Sequence, residues 1–226
     1  MSPRRSSSLP LRSRQQAILR AAEQLFAQSG FHAVTIRQIA ELAQVPLALV
    51  GYYFNHKEGL FRAVFAHRRA LHRELEHALD EARRTAGEAD GLRRVIDALV
   101  QPLMRARQDP ASHHYARLLA RELAHPASEA EPALQEHLDP VLQRFLDALQ
   151  AALPSASPSE LAEAWRFALG AVLLQMGESR LERLLPAAPG EWGRAARLSG
   201  LIQSGIRGVA LAPQIALAVP SNKPQR

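Results

Sequence analysis

The segment from Val45 to Leu60 contains side chains whose types and spacing suit contact with a duplex nucleic acid. Val50 and Phe54 are four residues apart, so on a helix both face the rest of the protein. Four small or apolar residues are then left on the outer face: Leu47, Ala48, Gly51 and Tyr52. In a major groove, alanine and leucine side chains contact thymine methyl groups, and a glycine lets the backbone approach the bases.

Two polar side chains beside this face suit the phosphate backbone. Tyr52 offers a phenolic hydroxyl to a phosphate oxygen. Lys57 combines its own charge with the positive end of the dipole of the helix that it begins. The segment is therefore predicted to position a helix in a groove and to hold it there by phosphate contacts.

The formal charge of +6 is concentrated near the N-terminus. Residues 1–60 contain seven Arg or Lys against three acidic residues, whereas the rest of the chain contains 21 against 19. The first 20 residues contain five arginines and no acidic residue. This asymmetry favours a polyanionic partner for the N-terminal part, with a solvated basic tail as the alternative.

Three helices are expected to position this surface. Apolar residues recur at helical spacing over residues 13–29, and Gly30 ends that helix. Thr35 begins a second helix, because Gln38 stands three residues later and completes a capping box. Pro46 suits the first turn of a third, short helix. Two short helices joined by a tight turn predict a helix-turn-helix.

Several motifs within residues 13–60, about a fifth of the chain, occur together in one known family. They are Leu25-Phe26, Gly30-Phe31, Thr35-Ile36-Arg37-Gln38-Ile39-Ala40, Tyr52-Tyr53-Phe54 and Lys57-Glu58-Gly59-Leu60. In combination they resemble the DNA-binding domain of the tetracycline-repressor (TetR) family. The resemblance implies a homodimeric transcriptional regulator, usually a repressor, that leaves a palindromic operator when a small-molecule effector binds the C-terminal domain.

The resemblance also implies which residues contact DNA. Its phosphate contacts correspond to Thr35, Arg37, Tyr52 and Lys57. Its base contacts correspond to the outer face of the third helix. The complete expected set is Thr35, Arg37, Pro46, Leu47, Ala48, Leu49, Gly51, Tyr52, Tyr53 and Lys57.

Three residues depart from the family pattern. Gln44 stands where a glycine is common in the turn, and Pro46 stands where a Ser or Asn usually caps the third helix. His56 stands where a Ser or Asn usually starts the fourth helix. Asn55, with Glu58 three residues later, is expected to cap that helix instead.

The rest of the chain is predicted to be helical, so the fold class is all-α. The expected helices span residues 57–84, 91–108, 112–124, 132–153 with a bend at Pro140, 159–185 and 192–211. The expected organisation is a disordered basic arm at 1–12, a three-helix helix-turn-helix domain at 13–60, a helical ligand-binding and dimerisation domain at 61–212, and a flexible tail at 213–226.

The last two predicted helices contain several glycines, among them Gly170 and Gly205. A helical glycine costs about 0.5 to 1 kcal/mol relative to alanine, so its presence suggests close backbone approach. These helices are predicted to pack on their copies in a second chain as a four-helix interface. Packing within one chain is the alternative.

Large apolar and polar residues of the C-terminal part are candidates for lining an effector pocket. The set is Phe65, His67, Met104, Tyr115, Arg117, Arg121, Phe145, Trp165 and Gln175. Arg117 and Arg121 lie one helical turn apart and can hold a carboxylate or phosphate, which predicts an apolar effector with one anionic group. The alternatives are that the large residues fill the core and that the arginines face solvent or pair with acids.

Neither a metal nor a cofactor is expected. The chain has no cysteine, and its nine histidines include no H-E-x-x-H motif. It also has no G-x-S-x-G, P-loop or G-x-G-x-x-G motif, so an enzyme is not expected. Two functions of other classes stay open: an all-α enzyme that uses the C-terminal cavity, and a structural DNA-binding protein without a ligand.

A cytoplasmic location without membrane contact is the expectation. No apolar stretch reaches the roughly 20 residues that span a bilayer. The N-terminal residues are rich in Arg and Ser and lack the apolar stretch of a secretory signal.

Overall fold

The computed structural model describes residues 11–124, 130–176 and 191–211. Within these ranges every helix or strand that is present is an α-helix, which confirms the all-α fold class. The helices are α1 (Leu11–Ala33), α2 (Ile36–Leu42), α3 (Leu47–Phe54), α4 (Lys57–His67), α5 (Arg69–Arg84), α6 (Gly91–Gln108), α7 (His113–Leu123), α8 (Glu131–His137), α9 (Asp139–Ala152), α10 (Pro158–Met176) and α11 (Glu191–Leu211). In the part of the chain that is described, none of them has the length and apolarity needed to cross a membrane.

The first helix begins earlier than expected. Leu11 and Arg12 belong to α1 rather than to the basic arm. A proline is tolerated at the start of a helix but not in its interior, so a helix can begin directly after Pro10 in the sequence. Residues 1–10 of that arm lie outside the described residues. Gly30 interrupts α1 with φ of 80°, and one last turn to Ala33 follows.

The prediction of one long helix over residues 57–84 is wrong, because the structure has two helices, α4 and α5, that meet at Arg68. Arg68 has φ −93° and ψ 15°, and its N–H donates to the carbonyl of Phe65 at 3.0 Å. The helical sequence pattern continues through this point, so the break follows from tertiary packing. α4 packs against α1, whereas α5 packs against α6 and α9.

The single helix expected over residues 132–153 is also two helices, α8 and α9, which meet at Leu138. Pro140 lies in the first turn of α9. A proline cannot donate a backbone hydrogen bond to the preceding helix turn, and it disfavours helical geometry in the residue before it. The helix is therefore broken at Leu138, two residues before the bend that was expected at Pro140. The last part of the helix expected over 159–185 lies outside the described residues.

One continuous apolar core extends from the N-terminal helices into the later ones. A run of edge-to-face rings crosses it: Phe26 and Phe61 have centroids 4.9 Å apart, Phe61 and Phe65 5.5 Å, and Phe65 and Tyr115 5.8 Å. The domain boundary expected after residue 60 falls inside α4. The division of the chain into domains therefore stays a prediction, and the two parts share core side chains.

Candidate nucleic-acid interface and interior site

The outer face of α3 is exposed as the sequence pattern predicts. Val50 and Phe54 are buried beneath it. Leu47 is 52% exposed and Tyr52 is 76% exposed, so two large side chains lie open to solvent on one short helix. Gly51 is also exposed, and a Cβ at this position would meet no atom within 4 Å. The face therefore presents apolar contacts around a bare stretch of helix backbone.

The turn that precedes α3 depends on an unusual backbone conformation. Gln44 has φ of 55°, in the left-handed region that favours glycine. The N–H of Val45 donates to the carbonyl of Ala40 at 3.0 Å and closes this turn. Pro46 is the residue before α3 and provides no side-chain cap. The turn therefore keeps the geometry of a helix-turn-helix despite the departures at Gln44 and Pro46.

A histidine, not Asn55, caps α4. His56 Nδ1 accepts from the N–H of Gly59 at 3.0 Å, whereas Asn55 adopts φ of 62° in the turn before it. Gly59 is needed because a Cβ there would collide with the carbonyl oxygen of Phe54. The expected Asn55 cap is wrong, since an imidazole nitrogen accepts the same hydrogen bond one residue later.

Lys57 is held at the start of α4 by contacts with α1. Its ammonium lies 4.3 Å from the ring centroid of Phe31 and 3.5 Å from the carbonyl of His32. The side chain is half-buried, so its charge is fixed beside the exposed face of α3. A positioned cation of this kind suits a phosphate contact.

The expected phosphate contacts on α2 lie on the surface. Thr35 and Gln38 form the predicted capping box, in which the N–H of Thr35 donates to Gln38 Oε1 at 2.8 Å. Arg37 is exposed, and its Nε lies 3.3 Å from Glu41. Pro46 and Ala48 are exposed as well, whereas Leu49 and Tyr53 are half-buried and offer less surface. Their roles in DNA contact stay predictions.

An apolar cavity of about 30 Å³, which we call the leucine-lined cavity, lies among α5, α6, α7, α9 and α10. Its lining residues are Leu75, Leu99, Leu103, Leu119, Leu123, Leu138, Val141, Leu142, Trp165, Leu169, Val172, Leu173 and Met176. Of the expected pocket residues, Trp165 alone is in this lining. Phe65, Met104, Tyr115 and Phe145 are buried elsewhere in the core.

The polar residues expected in the pocket do not line this cavity. Gln175 and Arg117 are half-buried, and His67 is exposed. Arg121 is exposed and its guanidinium lies against Gly30 of α1, where an added Cβ would collide with it. The expected anion-binding pair of Arg117 and Arg121 is therefore not part of the leucine-lined cavity, because these residues lie on other faces of α7.

Sequence reasoning missed a buried polar cluster, which we call the histidine–tyrosine cluster and define as His72, Tyr115 and His137. His72 Nε2 and the Tyr115 hydroxyl are 2.6 Å apart, and the rings of His72 and His137 are stacked with centroids 6.1 Å apart. All three residues are buried. A signal did exist, since His72 lies three residues before Leu75 on the apolar face of its helix.

A second buried polar group joins the N-terminal helices to the later ones at the α4–α5 break. Arg68 Nε donates to Glu23 Oε2 at 2.7 Å, and Arg68 also donates to the carbonyl of Ala111. The side chain of Glu23 is 4% exposed and that of Arg68 is 16% exposed. Arg68 therefore connects α1, the α4–α5 break and the loop before α7. We call Glu23, Arg68 and Ala111 the Arg68 junction.

Comparison with known families matches two parts of the chain. Residues 18–64 match the profile described as "Bacterial regulatory proteins, tetR family". Residues 97–203 match the profile described as "Tetracyclin repressor-like, C-terminal domain".

Among curated proteins, the chain is similar to the HTH-type transcriptional regulator RutR of Escherichia coli strain K12. The two are 49% identical over 51 residues, which is 23% of this chain and 24% of RutR. The chain thus aligns with about a quarter of the length of this relative.

Two solved structures share the fold over most of their length. HlyIIR, a haemolysin II transcriptional regulator, has a TM-score of 0.61 at 19% identity, with 85% of this chain and 98% of that chain covered. The fatty acid degradation regulator FadR from Bacillus halodurans has a TM-score of 0.54 at 20% identity, with 86% and 96% covered.

Proposed function

This chain belongs to the TetR family of bacterial regulatory proteins, and on that premise we propose that it is a sequence-specific DNA-binding transcriptional regulator. In this proposal the protein represses transcription of the genes next to its operator. A small-molecule effector releases it from its operator, as the family resemblance implies.

The outer face of α3 is the observation that carries the proposal. Leu47 and Tyr52 expose apolar and aromatic surface, and Gly51 leaves the backbone between them open. An apolar helix face with open backbone is not stabilised by contact with water. In a recognition helix, the apolar side chains contact thymine methyl groups and the open backbone lets the helix approach the bases. Lys57 and Arg37 flank this face with positive charge.

The test is selection of bound duplexes from a random DNA pool, followed by affinity measurements on the enriched sequence. Gly51→Leu should still fold, because nothing lies within 4 Å of the new Cβ. It should lose at least tenfold in affinity for the selected DNA, since the added side chain holds the helix away from the bases. Gly87→Leu is the matched control, because Gly87 is equally open but lies between α5 and α6.

The proposal fails if no sequence is enriched over random duplex. It fails equally if Gly51→Leu and Gly87→Leu bind the selected DNA as the wild type does.

The operator is proposed to be palindromic and the protein to be a homodimer through α10 and α11. Exposed apolar side chains on these two helices support this interface: Phe167 is 61% exposed, Leu174 63% and Leu201 67%. Gly170 and Gly205 are open to an added Cβ, so they do not serve close packing within one chain. The helices of a second chain would cover both features.

Phe167→Glu combined with Leu201→Glu should convert the dimer into a monomer, because it places charges on the covered apolar surface. Light scattering gives the mass, and Arg83→Glu on the exposed surface of α5 is the control. A wild type with the mass of one chain would contradict this interface.

The proposed mechanism is a change in the separation of the two α3 helices of the dimer. Two half-sites about one turn of DNA apart, roughly 34 to 36 Å, must be contacted together. An effector that favours another separation lowers operator affinity. The Arg68 junction is a route for this coupling, because it bonds α1 to the α4–α5 break and to the loop before α7.

A further inference from the structure

The histidine–tyrosine cluster is an incompletely bonded polar group inside an otherwise apolar core. His72 is 3% exposed and Tyr115 is fully buried. The Nε2 atom of His72 pairs with the Tyr115 hydroxyl, but its Nδ1 atom is buried and finds no hydrogen-bond partner among the described residues. Buried polar atoms without a partner are rare because they cost free energy, so this nitrogen requires an explanation.

The cluster lies beside the leucine-lined cavity in each helix that contributes to it. His72 is three residues before Leu75 on α5, and Tyr115 is four residues before Leu119 on α7. His137 is adjacent to Leu138. Residues three or four apart lie on the same helix face about one turn from each other. On α5 and α7 the cluster therefore lies about one helical turn from the lining of the cavity.

The charges around this cluster oppose an anion. Every residue that lines the cavity is uncharged. Of the two nearby cations, Arg68 already binds Glu23 and the carbonyl of Ala111, whereas Arg69 is exposed to solvent. His137 Nε2 lies 3.6 Å from the carboxylate of Glu136, and burial keeps His72 uncharged at neutral pH by lowering its pKa to about 4. Among the described residues, a desolvated carboxylate would therefore find no buried cation that is not already bonded.

We propose that this interior binds an uncharged aliphatic molecule whose single hydrogen-bonding group meets His72 and whose hydrocarbon chain occupies the leucine-lined cavity. This ligand class rests on the proposed function, because the molecule is the effector of the regulator. It replaces the anionic effector that the sequence predicts. A neutral hydroxyl or carbonyl satisfies the free imidazole nitrogen, since either tautomer of His72 offers a donor or an acceptor there.

The cavity has a volume of about 30 Å³, so a chain of several carbons enters by moving side chains of the lining. Met176 is one of them, and an unbranched thioether side chain repacks at low cost. The same movement displaces α7 and α10 residues around the cavity. Binding is thereby coupled to helix positions beyond the site.

Direct binding is measured with decanol, decanoate and a decanol with a terminal bromine, using the full chain. The chain has two tryptophans, so Trp192→Phe leaves Trp165 of the cavity lining as the single reporter. The brominated alcohol should quench Trp165 fluorescence, and decanol should compete with it. Decanoate at neutral pH should bind at least tenfold more weakly than decanol.

His72→Phe tests the polar contact, because it keeps a ring of similar size and removes both nitrogens. It should weaken decanol binding about tenfold, the contribution of one buried hydrogen bond. His77→Phe is the matched control on the exposed side of the same helix and should leave the affinity unchanged. Should His72→Phe fail to unfold cooperatively, His72→Leu is the second variant, because it also removes the Nδ1 atom that is proposed to bind the ligand.

The proposal is overturned if decanoate binds as well as decanol, if Trp165 is not quenched, or if the folded cluster variants bind decanol as the wild type does. Operator release is scored separately by DNA-binding anisotropy. Cavity binding without release would overturn the effector role but leave DNA-binding regulation intact. Release by compounds that do not enter the cavity would overturn the ligand class alone.

Discussion

Burial controls the protonation state of His72. Burial is the main cause that lowers its pKa from 6.5 to about 4, and repulsion from His137 and Arg69 adds to it. Tyr115 is the other group that faces the imidazole, and burial raises the pKa of its hydroxyl. The folded protein therefore holds His72 neutral over a range in which an exposed histidine is charged.

We expect the free energy of unfolding to fall as the pH drops from about 6.5 toward 4, because the unfolded chain then binds a proton that folded His72 does not. The loss of unfolding free energy caused by His72 reaches about 3 kcal/mol once the pH is below about 4, and this loss is absent above about pH 6.5. Urea titrations of the wild type and His72→Phe at several pH values measure it. Equal pH dependence in both proteins would contradict the assignment, and His77→Phe controls for a general loss of one histidine.

Lys57→Ala should weaken binding to every duplex and reduce the salt dependence by about one released ion, because we propose that its ammonium contacts a phosphate without base specificity. The measurement is DNA-binding affinity over a range of salt concentrations. Arg83→Ala, on the exposed side of α5, removes a charge far along the chain and should leave the slope unchanged. A reduced affinity with an unchanged slope would mean that Lys57 acts only by packing on Phe31.

The sequence was informative about single residues where one helix supplied the whole pattern. The exposed face of α3 follows from Val50 and Phe54 alone, so its outward residues were predicted correctly. The cap at His56 was missed because a histidine is an uncommon N-cap, and both nitrogens of an imidazole must be considered. The position of His72 on the apolar face of α5 was a signal of its burial, but its partners Tyr115 and His137 lie on other helices, and spacing along one helix does not identify them.

At the scale of elements, the α4–α5 break shows how a tertiary contact overrides a local pattern. Glu23 and Arg68 are 45 residues apart, and both are largely buried. A continuous helix was the local preference, but the chain turns where Arg68 reaches Glu23. The break at Leu138 was easier to anticipate, because Pro140 imposes it through its missing N–H.

Arg68→Met should lower the free energy of unfolding by about 3 kcal/mol or more, because it leaves the buried carboxylate of Glu23 without a partner. Adding Glu23→Gln should restore part of that loss, since the uncompensated charge is removed. Urea unfolding of the two single variants and the double variant measures the coupling. Arg84→Met, whose partner Glu81 is exposed, is the control and should change stability little.

At the scale of the whole molecule, the continuous core decides how the parts communicate. The rings of Phe26, Phe61, Phe65 and Tyr115 form one chain of contacts from α1 to α7. Helix class and the order of helices were predictable from periodicity and capping residues. The shared core was not, because it depends on how α1 packs against α4 and α7.

The N-terminal and C-terminal parts should therefore unfold together in one transition. Far-ultraviolet circular dichroism, which follows helix content, and Trp165 fluorescence, which follows the later helices, should give coincident denaturation curves in the Trp192→Phe background. Protein concentration is held constant, because dimer dissociation also shifts the midpoint. Separate transitions would mean that residues 11–60 fold independently of the rest.

The position of Lys57 has a practical consequence for chemical footprinting. The chain contains only two lysines, Lys57 and Lys223, so amine acylation has few side-chain targets. The Lys57 ammonium lies over Phe31 at the edge of the α3 face, where a bound duplex would shield it from the reagent. Mass spectrometry of the acylated peptides, with Lys223 as the internal reference, would thus report DNA occupancy at a single amine. For the same reason, amine coupling to a sensor surface through Lys57 would attach the protein by the face that is proposed to contact DNA, whereas coupling through Lys223 would not use that lysine.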